Sequence, residues 1–278
     1  MNRSAEFADQ TAGATTLTTF YYSLPLWISA ILVLGLALAV GLGSSIGVRA
    51  LFRLTPSNEE RDVAFNLMHV VASYIGIMLA FSGVAVWQNF ADAESAVHHE
   101  AASAAELYRD LTLYGPETEA TRAELRAYVA TILNDEWPLL KEGRGSRSTE
   151  SALAKLFGEM GKLRPREQRD TAIYTEALSK LNELVVLRRD RIIASRSGIP
   201  MILWIVGLVG SSLAMSYASA FSRTRYNLVM ISGASLAIGL VFLFILTVDG
   251  PFKGQVSVDR GELADLSSTF DRLDKFVP

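Results

Sequence analysis

Four stretches of the chain, Leu26 to Val48, Val63 to Trp87, Ile199 to Phe221 and Asn227 to Val248, contain no Asp, Glu, Lys or Arg. Crossing about 30 Å of hydrocarbon takes about 20 mainly apolar helical residues, so each run is long enough to span a bilayer. A soluble core helix of that length would show a polar face, and these do not. Tyr21, Tyr22 and Trp27 stand at one edge of the first run, Arg49 and Arg53 at its other edge, and Trp87 closes the second, as interfacial anchors do.

Between the two pairs of runs the pattern changes to charged and amphipathic. The second run continues without Gly or Pro through an Ala- and Glu-rich segment to Tyr114, so one long helix is predicted, stopped by Gly115 and Pro116. A helix over about 117–136 carries Leu125, Tyr128, Val129 and Ile132 at helical spacing and ends before Pro138; residues 143–148 read as a loop. A shorter helix presents Leu153, Leu156, Phe157 and Met160. After Pro165 another presents Tyr174, Leu178, Leu181 and Val185 and leads into the third run. The fold class expected is an all-α membrane protein: four transmembrane helices, with a helical bundle domain inserted between spans two and three. The expected divisions are an N-terminal tail (1–25), spans one and two (26–87), the helical domain (88–198), spans three and four (199–248) and a C-terminal tail (249–278).

Composition narrows the function classes. Half of the 278 residues are apolar and a fifth are charged, and the charges concentrate in the central segment. A formal net charge of -3 supplies no broad positive field for phosphate backbones, so nucleic acid is not an expected partner. The absence of cysteine removes thiolate catalysis, thiolate metal sites and disulfides. Arg3 is followed by Glu6 and Asp9, and the first apolar run is too long for a signal h-region, so that run reads as a retained span.

Four spans place the central domain and both tails on one side. The short connections hold Arg49, Arg53, Arg61, Arg223 and Arg225, against Arg3, Lys253 and Arg260 on the other side. Positive charge in short loops marks the cytoplasmic face, which predicts an extracytoplasmic helical domain in a bacterial inner membrane.

Candidate chemistry is sparse. The GLGSSIG run, with Gly41, Gly43 and Gly47, lacks the preceding strand that a dinucleotide loop needs. It reads instead as close helix packing, with Gly43 and Gly47 as a GxxxG pair and Ser212, Ser216 and Ala220 as a matching stripe. In span two, Asn66, His69, Ser73, Gly76, Ala80, Gly83 and Trp87 recur at helical spacing, and the series continues to Glu94, His98 and Glu100. Small and polar residues in a span either pack against another helix or line a cavity, and the ionisable His69 favours the cavity. The pore-lining candidates are therefore Asn66 to Trp87, with Glu94, His98 and Glu100 at a pore mouth. Glu94 and His98 offer two metal ligands with nothing to complete the set, so no metal or other cofactor is expected. Asp249, where span four meets water, reads as structural, with Arg196 as a candidate partner. No nucleophile motif organises the Ser, His and carboxylate residues, so an enzyme is not expected.

LPLW before span one, VW closing span two, AESAVHHEAASAAELYRD, EWP at Glu136 to Pro138, RSGIPMILW at Arg196 to Trp204 and DGPFKG at Asp249 to Gly254 follow one another in order. From about Leu24 to Val258 this series resembles the bacterial bestrophin-like proteins. The resemblance implies a relation to bestrophins, which are pentameric anion channels with the second span lining a central pore and the extramembrane domain in the cytoplasm. That last implication opposes the short-loop charge, which is kept here. The function expected is an oligomeric ion channel or channel-like protein with ions, the bilayer and further copies of itself as partners. The glutamates near the mouth favour cations. The alternative is a non-conducting sensor or scaffold whose helical domain binds a ligand or partner protein.

Overall fold

The computed structural model describes residues 22, 24–52, 56–222 and 224–275, apart from the side chains at 45, 49 and 52. Arg3, Glu6, Asp9, Tyr21, Arg53 and Arg223 lie outside the described residues, as does the side chain of Arg49. The helices are α1 (Leu26–Phe52), α2 (Asn58–Tyr114), α3 (Glu119–Thr131), α4 (Trp137–Leu140), α5 (Arg147–Met160), α6 (Gln168–Ala194), α7 (Met201–Ser216), α8 (Arg225–Val248) and α9 (Gly261–Asp274), and no strand occurs among the described residues.

Local chemistry sets the boundaries. Ser57 and Glu60 form a reciprocal cap at the start of α2, the Ser57 N–H donating to Glu60 Oε2 at 2.7 Å and the Glu60 N–H to Ser57 Oγ at 3.3 Å. The helix runs 57 residues to Tyr114. Gly115 ends it at φ 129°, a conformation that a side chain disfavours, and the Thr118 hydroxyl donates to the freed carbonyl of Leu111 at 2.6 Å. Thr224 caps α8 through the Asn227 N–H at 3.2 Å.

Two compact units result. The first comprises residues up to Gln88, Gly198–Asp249 and Lys253–Val256. It contains α1, α7, α8 and the first part of α2, the four helices long and apolar enough to cross a membrane. Its exposed residues include Leu32, Leu36, Phe81, Leu208 and Val209, a surface that water would penalise and hydrocarbon would not. Small residues bring α1 and α8 together: a Cβ on Gly41 would stand 1.8 Å from Ser235 Oγ, and one on Gly239 would stand 2.8 Å from the Ala37 Cβ. The expected GxxxG pair is corrected here, because a Cβ on Gly43 or Gly47 would have nothing within 4 Å of it. Both glycines sit on the face of α1 turned away from α8.

The second unit comprises Asn89–Ser197, Gly250–Phe252 and residues from Ser257 onward. Its core gathers Ala93, Val97, Leu107 and Leu111 of α2 with Leu125 and Tyr128 of α3, Leu153 and Leu156 of α5, and Leu181 and Leu184 of α6. Three expectations are corrected. Helical structure does not end before Pro138: Ile132–Glu136 forms a π-helical turn, and Pro138 lies in the first turn of α4, where a missing N–H leaves no bond unmade. The buried stripe of α6 runs through Ala177, Leu181 and Leu184, leaving Val185 exposed at 40%. The segment read as a C-terminal tail contains α9, whose Leu263, Leu266 and Phe270 are buried in this unit. Phe270 stacks on Tyr108 with 4.1 Å between centroids, while Asp274 accepts hydrogen bonds from the Tyr108 hydroxyl and Arg126, both at 2.8 Å.

Candidate functional site

Within the first unit, α2 has three faces. Leu79, Ser82 and Val86 are buried. About a third of a turn to one side lie Asn66, His69, Ser73, Gly76 and Ala80, all exposed, and beyond them the apolar Tyr74 and Phe81. The polar series is thus free of the unit's own packing. Its bonds are local: the Ser73 hydroxyl donates to the His69 carbonyl at 2.7 Å, and the His69 ring meets Phe65 edge-on at 4.4 Å. Nothing lies within 4 Å of where a Cβ on Gly76 would stand. Trp87 is 59% exposed. Gly83 differs from the rest, being half-buried with the Phe244 ring 3.6 Å from its Cβ position, so it serves packing against α8.

In the second unit, Glu94 and His98 are exposed and share a cavity of about 510 Å³ with Asp259 and Glu262. His98 Nδ1 lies 2.5 Å from Glu262 Oε2. Among the described residues no three metal-capable side chains group closely enough to hold an ion.

Glu100 is corrected from mouth to core. Two residues after His98, it lies on the far side of the helix, fully buried. Its carboxylate accepts from Arg191 Nε at 2.5 Å and Nη2 at 3.2 Å, and from the Tyr128 hydroxyl at 2.9 Å. Arg191 Nη2 also donates to Glu136 at 2.9 Å, and Glu136 accepts from Arg188 Nη2 at 2.6 Å and from the Ser146 N–H at 2.7 Å. Burial alone would raise Glu136, but the Arg188 hydrogen bond, the Arg191 charge and the Ser146 N–H hold it below the usual carboxylate range. Burial, reinforced by the Glu100 charge, pushes the Tyr128 phenol well above its ordinary value. Glu106 is likewise paired, with Lys180 at 2.7 Å. Glu94 is thus the exposed, unneutralised member of the glutamates read at a mouth.

Residues 35–263 match the Bestrophin-like domain. The chain belongs to the Bestrophin-like family. No curated protein matches it in sequence. This Bestrophin-like chain is similar in fold to a crystal structure of a membrane protein carrying a point substitution, with a TM-score of 0.66 at 14% identity over 88% of this chain and 98% of that one. It is also similar to a bacterial bestrophin homologue from Klebsiella pneumoniae, with a TM-score of 0.60 at 17% identity over 88% of this chain and 97% of that one. At these identities the likeness is one of fold.

The expected Asp249–Arg196 pairing is absent from this Bestrophin-like chain. Asp249 Oδ1 accepts from the Ile199 N–H at 2.7 Å, and Arg196 Nε donates to the Gly143 carbonyl at 2.7 Å. Burial, opposed by the Ile199 bond and by Lys253, pushes the Asp249 carboxyl up to about 6. A neutral acceptor therefore suffices. Asp249→Ala is expected to lower stability by about 1–3 kcal/mol, and Asp249→Asn by less than half as much, in thermal melts of detergent-purified protein.

Proposed function

We propose that this chain forms an oligomeric ion channel of the bacterial inner membrane whose pore is lined by the Asn66, His69, Ser73, Gly76 and Ala80 face of α2. The observation that carries the reading is that this face holds small and polar residues yet makes no contact that its own unit needs. Lipid gains nothing from such a surface, whereas ions and water are accommodated by it. Trp87, Glu94 and His98 follow on the same helix toward a mouth. Family membership supports the reading, since the resemblance to bestrophins implies an assembly of five copies around an axis lined by the second span. With Glu100 buried and Glu106 paired, the case for cations rests on Glu94. Planar-bilayer recording of purified protein under asymmetric salt tests both claims: absence of current overturns the channel, and a reversal potential of anion sign overturns the selectivity.

One observation favours the sensor reading. The helical unit has a cavity of about 580 Å³ lined by Tyr114, Glu117, Arg164, Arg166 and Asp170, with charges of both signs. Light scattering in detergent separates the readings, because a monomer has no shared axis.

Orientation is also proposed. With the arginines of the short connections cytoplasmic, a periplasm-active reporter fused after Gly143 is expected to work and one fused after Pro56 to fail. The reverse result places the helical unit in the cytoplasm.

A further inference from the structure

A second feature of the first unit lies outside the pore reading and does not depend on it. Between α1, α7 and α8 is a cavity of about 260 Å³ whose walls are almost wholly apolar, with Leu36 and Val40 on one side and Trp204 and Phe242 on another. Trp204 and Phe242 are near-parallel, 27° between planes and 6.2 Å between centroids, and form a flat aromatic wall. Ser211 also lines the cavity. Its residue is only 7% exposed, and its hydroxyl has no hydrogen-bond partner among the described residues. A buried hydroxyl without a partner is costly, so it marks a place where a ligand atom can accept a proton.

The depth of that hydroxyl limits the ligand. Ser211 stands ten positions into α7, about 15 Å along the helix from Met201, near the middle of a span. A phospholipid has only methylene groups there, since its ester and headgroup oxygens stay at the interface. We propose that the cavity binds a flat, carbonyl-bearing lipophile of the quinone class, its ring against Trp204 and Phe242 and a ring carbonyl accepting from the Ser211 hydroxyl. The apolar walls receive the tail.

The test uses full-length protein in lipid nanodiscs, with decylubiquinone as probe, decylbenzene as a carbonyl-free control, and tryptophan fluorescence as readout. Saturable quenching by decylubiquinone is expected, and Trp204→Phe is expected to remove most of it. Ser211→Ala is expected to weaken binding about tenfold, Ser211→Thr to preserve it, and Ser211→Leu to abolish it by filling the cavity. If Ser211→Leu does not fold, the Ala and Thr variants carry the comparison. Equal binding of decylbenzene, or indifference to Ser211, overturns the proposal in favour of a simple hydrocarbon groove. Absence of saturable quenching also overturns it, leaving the space to bilayer lipid or to a second copy of the chain. Either outcome leaves the pore reading untouched.

Discussion

Arg191→Met is expected to destabilise the folded protein by about 3–5 kcal/mol, because it leaves two buried carboxylates without their shared cation. Arg191 and Glu100 are both fully buried, and Arg191 joins Glu100 to Glu136. Arg191→Lys is expected to rescue little, since one ammonium cannot reproduce a guanidinium that spans two carboxylates. Combining Arg191→Met with Glu100→Gln and Glu136→Gln should recover a large part of the loss, because neutral partners remove the stranded charge. Thermal melts of the full chain in detergent measure all three. If Arg191→Met melts with the parent, the network does not support the fold. The same groups set a pH dependence. Glu136 in the folded protein titrates below its unfolded value, so its contribution is present above the ordinary carboxylate value of 4.5 and lost as pH falls through the lower folded value. Glu136→Gln should flatten the acid limb of the stability curve.

Ala80→Trp is expected to reduce single-channel conductance roughly tenfold or more, since a bulky apolar ring in a narrow lumen both blocks and dewets it. Phe81→Trp, one position on, serves as the control: Phe81 is already large, apolar and 71% exposed, on the face next to the polar series. Its variant should conduct like the parent. Equal currents in both would remove the α2 lining. His69 extends the test, because imidazole is the side chain whose charge changes in mildly acid solution. A ring of His69 side chains would make current respond to acidification, and both His69→Ala and His69→Gln should abolish that response. Identical pH profiles in all three proteins would make His69 a packing residue beside Phe65.

The four spans were legible in the sequence because a charge-free run of that length has few other uses. The core of the helical unit was less so, although its signal is present. Ala93, Val97, Ala104, Leu107 and Leu111 trace one stripe of α2, and Glu100 falls on that stripe, not on the face of Glu94 and His98. Arg188 and Arg191 continue the Ala177, Leu181 and Leu184 stripe of α6 in the same way. A charge on an apolar stripe announces a buried partner, but which partner depends on contacts 91 and 55 residues apart, which periodicity does not supply. Glycine posed a similar difficulty. Spacing singled out Gly43 and Gly47, while the close approach to Ser235 belongs to Gly41, because the contact depends on which face of α1 meets α8. The α9 helix was hidden in a segment too short and polar to stand out, although Leu263, Leu266 and Phe270 have helical spacing.

The π turn at Ile132–Glu136 has a genetic consequence. Such a turn holds one residue more than the α-helix around it, so deleting a single codon among Leu133, Asn134 and Asp135 would restore regular winding. Everything downstream would then rotate by about 100° around the helix axis, carrying Glu136 away from Arg191 and Arg188. The buried carboxylate therefore depends on reading-frame length as much as on residue identity. A lineage that lost that codon would have to change the arginines too.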